Sequence, residues 1–179
     1  MKPSDSTVER IQTALDGLDF EFEPSRDGIA CVAVQRDAVR AVLARLRDDA
    51  AFEALTLITA VDLLDAPRAT ARFEVLHQLH SIEHADRVRL RTRLDEDDAT
   101  IPTCTDLWLG AGFMERECWD MFGIVFEGNP NLKRLLMPDG YGHHPLRKDF
   151  PHQGIEPDRL YREWDRERRK KWNAEEAKR

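Results

Sequence analysis

Hydrophobic positions in the first 94 residues follow two periodicities in turn. Residues 4–17 and 36–49 place apolar side chains three and four positions apart, as on one face of a helix. Capping residues open the first segment and Gly17 follows its last apolar position, which marks both ends of a predicted helix. The second predicted helix has one apolar face, formed by Val39, Val42, Leu43 and Leu46.

Between and after these helices, β-rich segments predict strands at residues 19–23, 28–34, 54–64, 71–82 and 86–94. The last segment alternates most regularly, with Val88 and Leu90 set between arginines. The run at 54–64 is largely apolar, and we expect a buried strand there. This order predicts an α+β fold. It is a two-layer α/β domain (helix, two strands, helix, three strands) with a mixed sheet and its helices on one face.

The pattern changes after about residue 100. We expect the acidic stretch 95–108 to be a loop that leads into a short helix at 113–122, with Gly123 as its C-terminal cap. Beyond Phe126, Gly and Pro recur too often for regular structure. This segment is nevertheless too apolar for a free linker, since it holds Leu132, Leu135, Leu136, Met137, Tyr141, Leu146 and Phe150.

We therefore predict two parts: an α/β domain, residues 1–126, and an extended, mostly irregular C-terminal arm, residues 127–179, which packs on partner subunits. The tail after residue 156 is expected to be a charged helix or arm. Its expected anchors are Leu160, Tyr161, Trp164 and Trp172.

Composition narrows the function classes. The net charge of −7 argues against a general nucleic-acid binder, and no apolar stretch approaches the roughly 20 residues that span a bilayer. The polar, acidic opening is typical of neither a secretory signal nor a transit peptide, so we expect a reducing compartment. The three cysteines, Cys31, Cys104 and Cys118, do not form a disulfide framework and are expected to be small buried side chains.

Two groups of histidines suggest chemistry. His77, His80 and His84 have spacings that would suit a metal site on a helix, but the alternation of this segment favours a strand, which puts His77 and His80 on opposite faces. His143 and His144 stand near charged residues, and a stand-alone enzyme would use them with Cys118 as the nucleophile. Because the loop lacks a Gly-rich phosphate cradle, structural bonding or partner contact is favoured, and no dinucleotide or P-loop motif is present.

The predicted helix at 113–122 has an apolar stripe of Met114, Cys118, Met121 and Phe122, and its other positions are charged. Together with the following segments, ERECWDMFGIVFEGNPNLKRLLMP and HPLRKDFP resemble the signature of the thirty-kilodalton subunit, also called the C subunit, of respiratory complex I. The resemblance runs from about residue 73 to 151. The residues expected to form a partner interface or structural ion network are Glu115, Arg116, Glu117, Asp120, Lys133, Arg134, His144, Arg147, Lys148 and Asp149.

The resemblance implies a non-catalytic scaffold subunit on the peripheral arm of a proton-translocating NADH:quinone oxidoreductase. It implies no cofactor in this chain, with flavin mononucleotide and iron–sulfur clusters in partner subunits. The implied partners are the quinone-site subunit (the D subunit) and neighbouring iron–sulfur subunits. The expected location is the cytoplasmic face of the bacterial inner membrane. The alternative is the equivalent subunit of a related membrane-bound hydrogenase or plastid-type dehydrogenase. In our hypothesis, matched ion pairs between the helix at 115–120 and the loop at 134–149 fix the register of domain, arm and quinone-site subunit.

Overall fold

The structure, a computed structural model, describes residues 3–67, 69–152 and 163–170. The described elements, in chain order, are α1 (Asp5–Ala14), β1 (Glu21–Glu23), β2 (Ala30–Ala33), a 3-10 turn (Arg36–Ala38), α2 (Val39–Asp48), β3 (Ala54–Asp62), β4 (Phe73–Ser81), β5 (Asp86–Leu94), β6 (Thr100–Pro102), α3 (Ala111–Phe122) and β7 (Val125–Glu127). Residues 163–170 are also helical. Leu160, Tyr161 and Trp172, predicted as anchors of the tail, lie outside the described residues.

The first five strands form one mixed sheet in the order β1-β2-β5-β4-β3. Strands β2 and β5 are parallel, and the other neighbours are antiparallel. This topology confirms the predicted mixed sheet and the predicted order of helices and strands.

The core lies between one face of this sheet and the helices. The alternation of β5 decides which side chains enter it, since Val88, Leu90, Thr92 and Leu94 are buried, as the sequence pattern predicts. Phe52, Leu43 and Leu46 meet the sheet from the helical layer and are fully buried. Helix α1 starts at Ser4, whose side chain accepts a hydrogen bond from the Thr7 amide at 3.2 Å.

Strand β3 corrects one expectation. It is the last strand of the sheet, and Leu57 and Val61 on the uncovered face are 41% and 38% exposed, so the prediction of a buried strand is wrong for that face. An antiparallel edge strand needs only one buried face, and a run of apolar residues alone does not distinguish the two cases. Helix α3 packs beside this edge, where the Ile58 amide donates to Met114 Sδ at 3.2 Å.

The stretch 95–108 also differs from the prediction, because β6 forms within the expected loop. β6 pairs in parallel with β7, and this pairing buries Ile101 beside Phe126. The partner strand lies some 25 residues further along the chain, so no local pattern could reveal the pair. β7 lies across the predicted boundary at residue 126, and the division into domain and arm stays a prediction.

Candidate functional site

Helix α3 ends where the arm begins, and its last turn is the centre of the candidate site. Gly123 closes the helix with φ +79°, and its amide donates to the Trp119 carbonyl at 2.8 Å, which confirms the predicted cap. A Cβ at Gly123 would stand 2.6 Å from Arg147 Nη2 and 2.7 Å from His144 Nε2. The position therefore needs glycine both for its backbone angle and for the close approach of the arm.

The arm supplies donors to the last carbonyls of α3, which have no partner within a helix. His144 Nδ1 lies 3.0 Å from the Asp120 carbonyl, the Leu146 amide donates to the Met121 carbonyl at 3.1 Å, and Arg147 Nε donates to the Phe122 carbonyl at 2.6 Å. Positive side chains near a helix C-terminus also complement its dipole. The arm thus completes the end of the helix.

The fully buried Asp120 carboxylate holds the first part of the arm. Its Oδ2 accepts hydrogen bonds from three consecutive amides, those of Leu135 (2.9 Å), Leu136 (2.7 Å) and Met137 (2.9 Å), and its Oδ1 accepts one from Arg134 Nη1 at 2.8 Å. Burial opposes ionisation, but these donors outweigh it and hold the pKa of Asp120 below its usual range. Asp120 is therefore a charged anchor for residues 134–137.

Arg134 closes the loop that follows. Its guanidinium donates to the carbonyls of Tyr141 and, at 3.1 Å, His143, and it lies 5.0 Å from the centroid of the Trp119 ring. One side chain thus joins the Asp120 carboxylate to both ends of the 134–143 loop.

A second buried carboxylate, Asp62 at the end of β3, holds the next part of the arm. It accepts two hydrogen bonds from Arg72, at 2.9 and 3.0 Å, and one from the Lys148 amide at 2.8 Å. Arg72 in turn lies 3.2 Å from Asp149. Burial opposes ionisation here too, but the amide and guanidinium donors lower the pKa of Asp62. The sequence analysis missed Asp62 and Arg72, although an acid that ends an apolar strand is a usable signal.

The third buried carboxylate, Glu115, has neutral donors. It accepts from the Cys104 amide at 2.8 Å, from the Thr103 hydroxyl at 2.6 Å and from Asn129 Nδ2 at 2.8 Å. The hypothesis of an ion pair for Glu115 is therefore not met among the described residues. Its role is to tie β6 and the start of the arm to α3.

The remaining predicted site residues are distributed around this centre. Arg116 donates to the carbonyls of Lys133 (3.1 Å) and Arg134 (2.8 Å), so it binds arm backbone and not an acid. The Glu117 and Lys133 side chains are exposed, and the Lys148 ammonium lies 3.3 Å from the Leu64 carbonyl. Their predicted role at a partner interface stays a prediction.

The candidate catalytic residues do not form a reactive group. Burial, followed by the nearby Glu117 and Glu115, raises the pKa of the Cys118 thiol to about 12, the opposite of nucleophile activation. His77 is fully buried on the core face of β4 and His80 points to the other face, as the alternation predicts. Within residues 3–67, 69–152 and 163–170, no three His, Cys, Asp or Glu side chains are grouped to hold a metal ion.

Comparison with known proteins decides the family. Residues 32–156 match the family model of the respiratory-chain NADH dehydrogenase 30 Kd subunit. The chain belongs to this family. One relative is the C subunit of NADH-quinone oxidoreductase from Citrifermentans bemidjiense, 46% identical over 132 residues that cover 74% of this chain and 79% of that protein. Another is the C/D subunit of the oxidoreductase from a Hydrogenobaculum species, 34% identical over 87% of this chain and 26% of that protein.

Solved structures agree with the family assignment. The trypsin-resistant fragment (1-134) of Nqo5 matches with a TM-score of 0.64 and 32% identity, over 70% of this chain and 99% of the fragment. A chain of the membrane-bound sulfane sulfur reductase, an archaeal respiratory membrane complex, matches with a TM-score of 0.67 and 27% identity, over 83% of this chain and 85% of that chain. The resemblance to an oxidoreductase subunit is thereby confirmed. The described part of this chain contains no helix long and apolar enough to cross a bilayer.

Proposed function

We propose that this chain is a non-catalytic scaffold subunit in the peripheral arm of an NADH:quinone oxidoreductase. The observation that carries the proposal is how the protein's own arm is bound: its backbone is held at α3 while two of its leucines face outward. Leu136 is 61% exposed and Leu146 is 54% exposed, although the residues on either side of each bond to the domain. A scaffold needs this combination of a fixed backbone and free apolar side chains.

The partner we propose for these leucines is the quinone-site subunit. The C/D relative supports this choice, because a single chain there carries the letters of both subunits in its name. The exposed charges of Glu117 and Lys133, together with Lys148, would then orient the contact more than strengthen it, since charged groups at an interface set specificity and association rate.

The flavin mononucleotide and iron–sulfur clusters of the complex are proposed to lie in partner subunits, where electrons pass from NADH to quinone and protons are translocated. The chain itself would sit on the cytoplasmic face of the bacterial inner membrane, held there by the complex. The match to an archaeal membrane-bound reductase favours a second candidate, the equivalent subunit of a related membrane complex with a different electron donor.

Replacement of both exposed leucines tests the scaffold role. We expect Leu136→Asp with Leu146→Asp to leave the chain folded but to lower the recovery of the quinone-site subunit with it, and the NADH:quinone activity of membranes, at least tenfold. Ile82→Asp is the matched control, because Ile82 is 70% exposed on the β4–β5 turn and should have no effect. Normal assembly of the double variant would contradict the proposal. Activity with a donor other than NADH would favour the second candidate.

A further inference from the structure

His144 occupies a confined position between the end of α3 and two arginines of the arm. Its Nδ1 must carry the hydrogen, because the partner at 3.0 Å is the Asp120 carbonyl, which only accepts. Its ring meets Trp119 edge-on, with centroids 6.4 Å apart. On the other side, Nε2 and Arg147 Nη2 lie 2.7 and 2.6 Å from the same point beside Gly123.

The charges that face this imidazole come from both elements packed around it. The arm contributes the guanidinium groups of Arg134 and Arg147, and α3 contributes the Asp120 carboxylate. That carboxylate already accepts four hydrogen bonds from Arg134 and three amides, so its charge is shared among several donors. A proton on Nε2 would therefore create a third positive charge in a partly buried space with one negative charge.

We propose that His144 is a proton-sensitive catch: the arm stays docked on the end of α3 while the imidazole is neutral, and it loosens when Nε2 gains a proton. The catch uses contacts within this chain alone. It goes beyond the scaffold role, and its test does not require any partner of this chain.

The direction of the effect follows from the environment of the ring. Burial lowers the pKa of His144 first, and Arg147 and Arg134 lower it further, against the opposing bond to the Asp120 carbonyl. On a released arm the pKa returns to about 6.5. The released state thus binds the proton more tightly, so docking weakens as the pH falls through about 6.5 and levels off below the docked pKa. One proton limits the slope to about tenfold per pH unit.

The test is amide exchange measured by NMR on the full chain between pH 7.5 and 5. The Leu146 amide reports docking, because it donates to the Met121 carbonyl, and the Leu79 amide in the sheet reports the domain. After correction for intrinsic exchange, we expect Leu146 protection to fall at least fivefold relative to Leu79. His144→Asn retains a donor for the Asp120 carbonyl but cannot be protonated, so its profile should be flat. His143→Asn, at the exposed neighbour, should behave as wild type.

Constant Leu146 protection in the wild-type chain would overturn the proposal, and so would equal pH dependence in His144→Asn. A direct titration of the two imidazoles covers the case in which the Asn variant does not dock at any pH. The proposal requires His144 to titrate below His143 in the wild-type chain. The opposite order would refute it, whatever the variants do.

Discussion

The sheet-and-helix layer and the arm are stabilised by opposite means. In the layer, Phe52, Leu79 and Leu90 are completely buried. In the arm, none of the residues 128–152 is buried, yet its backbone and its arginines bond to buried carboxylates and to the end of α3. Apolar burial is distributed over many side chains, whereas a few charged acceptors hold the arm. The two regions should therefore fail independently, and the following predictions test this from the largest expected effect to the smallest.

Phe52→Ala should produce the largest loss. It removes a fully buried ring from the core, and we expect the free energy of unfolding to fall by about 3–5 kcal/mol. Chemical denaturation followed by circular dichroism measures this loss. Ile82→Ala, at a mostly exposed position, should change stability by less than about 0.5 kcal/mol. A small effect at Phe52 would mean that the layer is not the stable unit.

Asp120→Ala should release the arm and leave the layer folded. It strands the Arg134 guanidinium and three amides without their acceptor, at a cost of about 3–5 kcal/mol to docking. Amide exchange at residues 135–137 should become fast while the strands β4 and β5 keep their protection. Glu117→Ala, on the exposed side of the same helix, is the control and should change neither. Simultaneous loss of protection in arm and strands would show that the two regions are coupled.

Acid should weaken the layer through His77. Burial lowers the pKa of His77 from 6.5 to about 4, so the unfolded chain binds this proton more readily than the folded chain. Stability should fall by up to about 3 kcal/mol as the pH drops from about 6.5 to about 4, and this contribution levels off below that range. Denaturation curves measured across this range, in wild type and in His77→Phe, check the effect. An unchanged pH slope in the variant would exclude His77 as its source.

Gly123→Ala should have a smaller effect that is confined to the arm. The positive φ costs about 1 kcal/mol, and the new methyl group also displaces Arg147 and His144. Gly140→Ala isolates the first contribution, because Gly140 has φ +84° but no atom within 4 Å of an added Cβ. We expect Leu146 protection to fall in the first variant and to remain unchanged in the second. Equal behaviour of the two would remove the role of close approach at Gly123.

Much of the layer was predictable because its signals are local. The alternation of β5, the apolar face of α2 and the glycine after α3 each predict an element from neighbouring residues. Strand β6 was missed because its partner is distant in sequence, and the exposure of β3 depends on its place in the sheet.

The site was predicted less completely, for a different reason. The sequence indicates that Asp120 and Arg134 are special, and the structure pairs them at 2.8 Å. It does not indicate that most partners of the buried acids are backbone amides, since every residue except proline carries one. For the same reason, opposite charges were expected around Glu115, where an amide, a hydroxyl and an asparagine are found instead.

The three amides on Asp120 also have a consequence for how the arm can vary. Because Asp120 contacts only the main chain of residues 135–137, it places no requirement on the side chains there beyond the exclusion of proline. A conformation fixed through the backbone leaves those positions open to change, so the surface that they present can be altered without disturbing the fold that carries it. For protein engineering, this makes residues 135–137 a short rigid display segment.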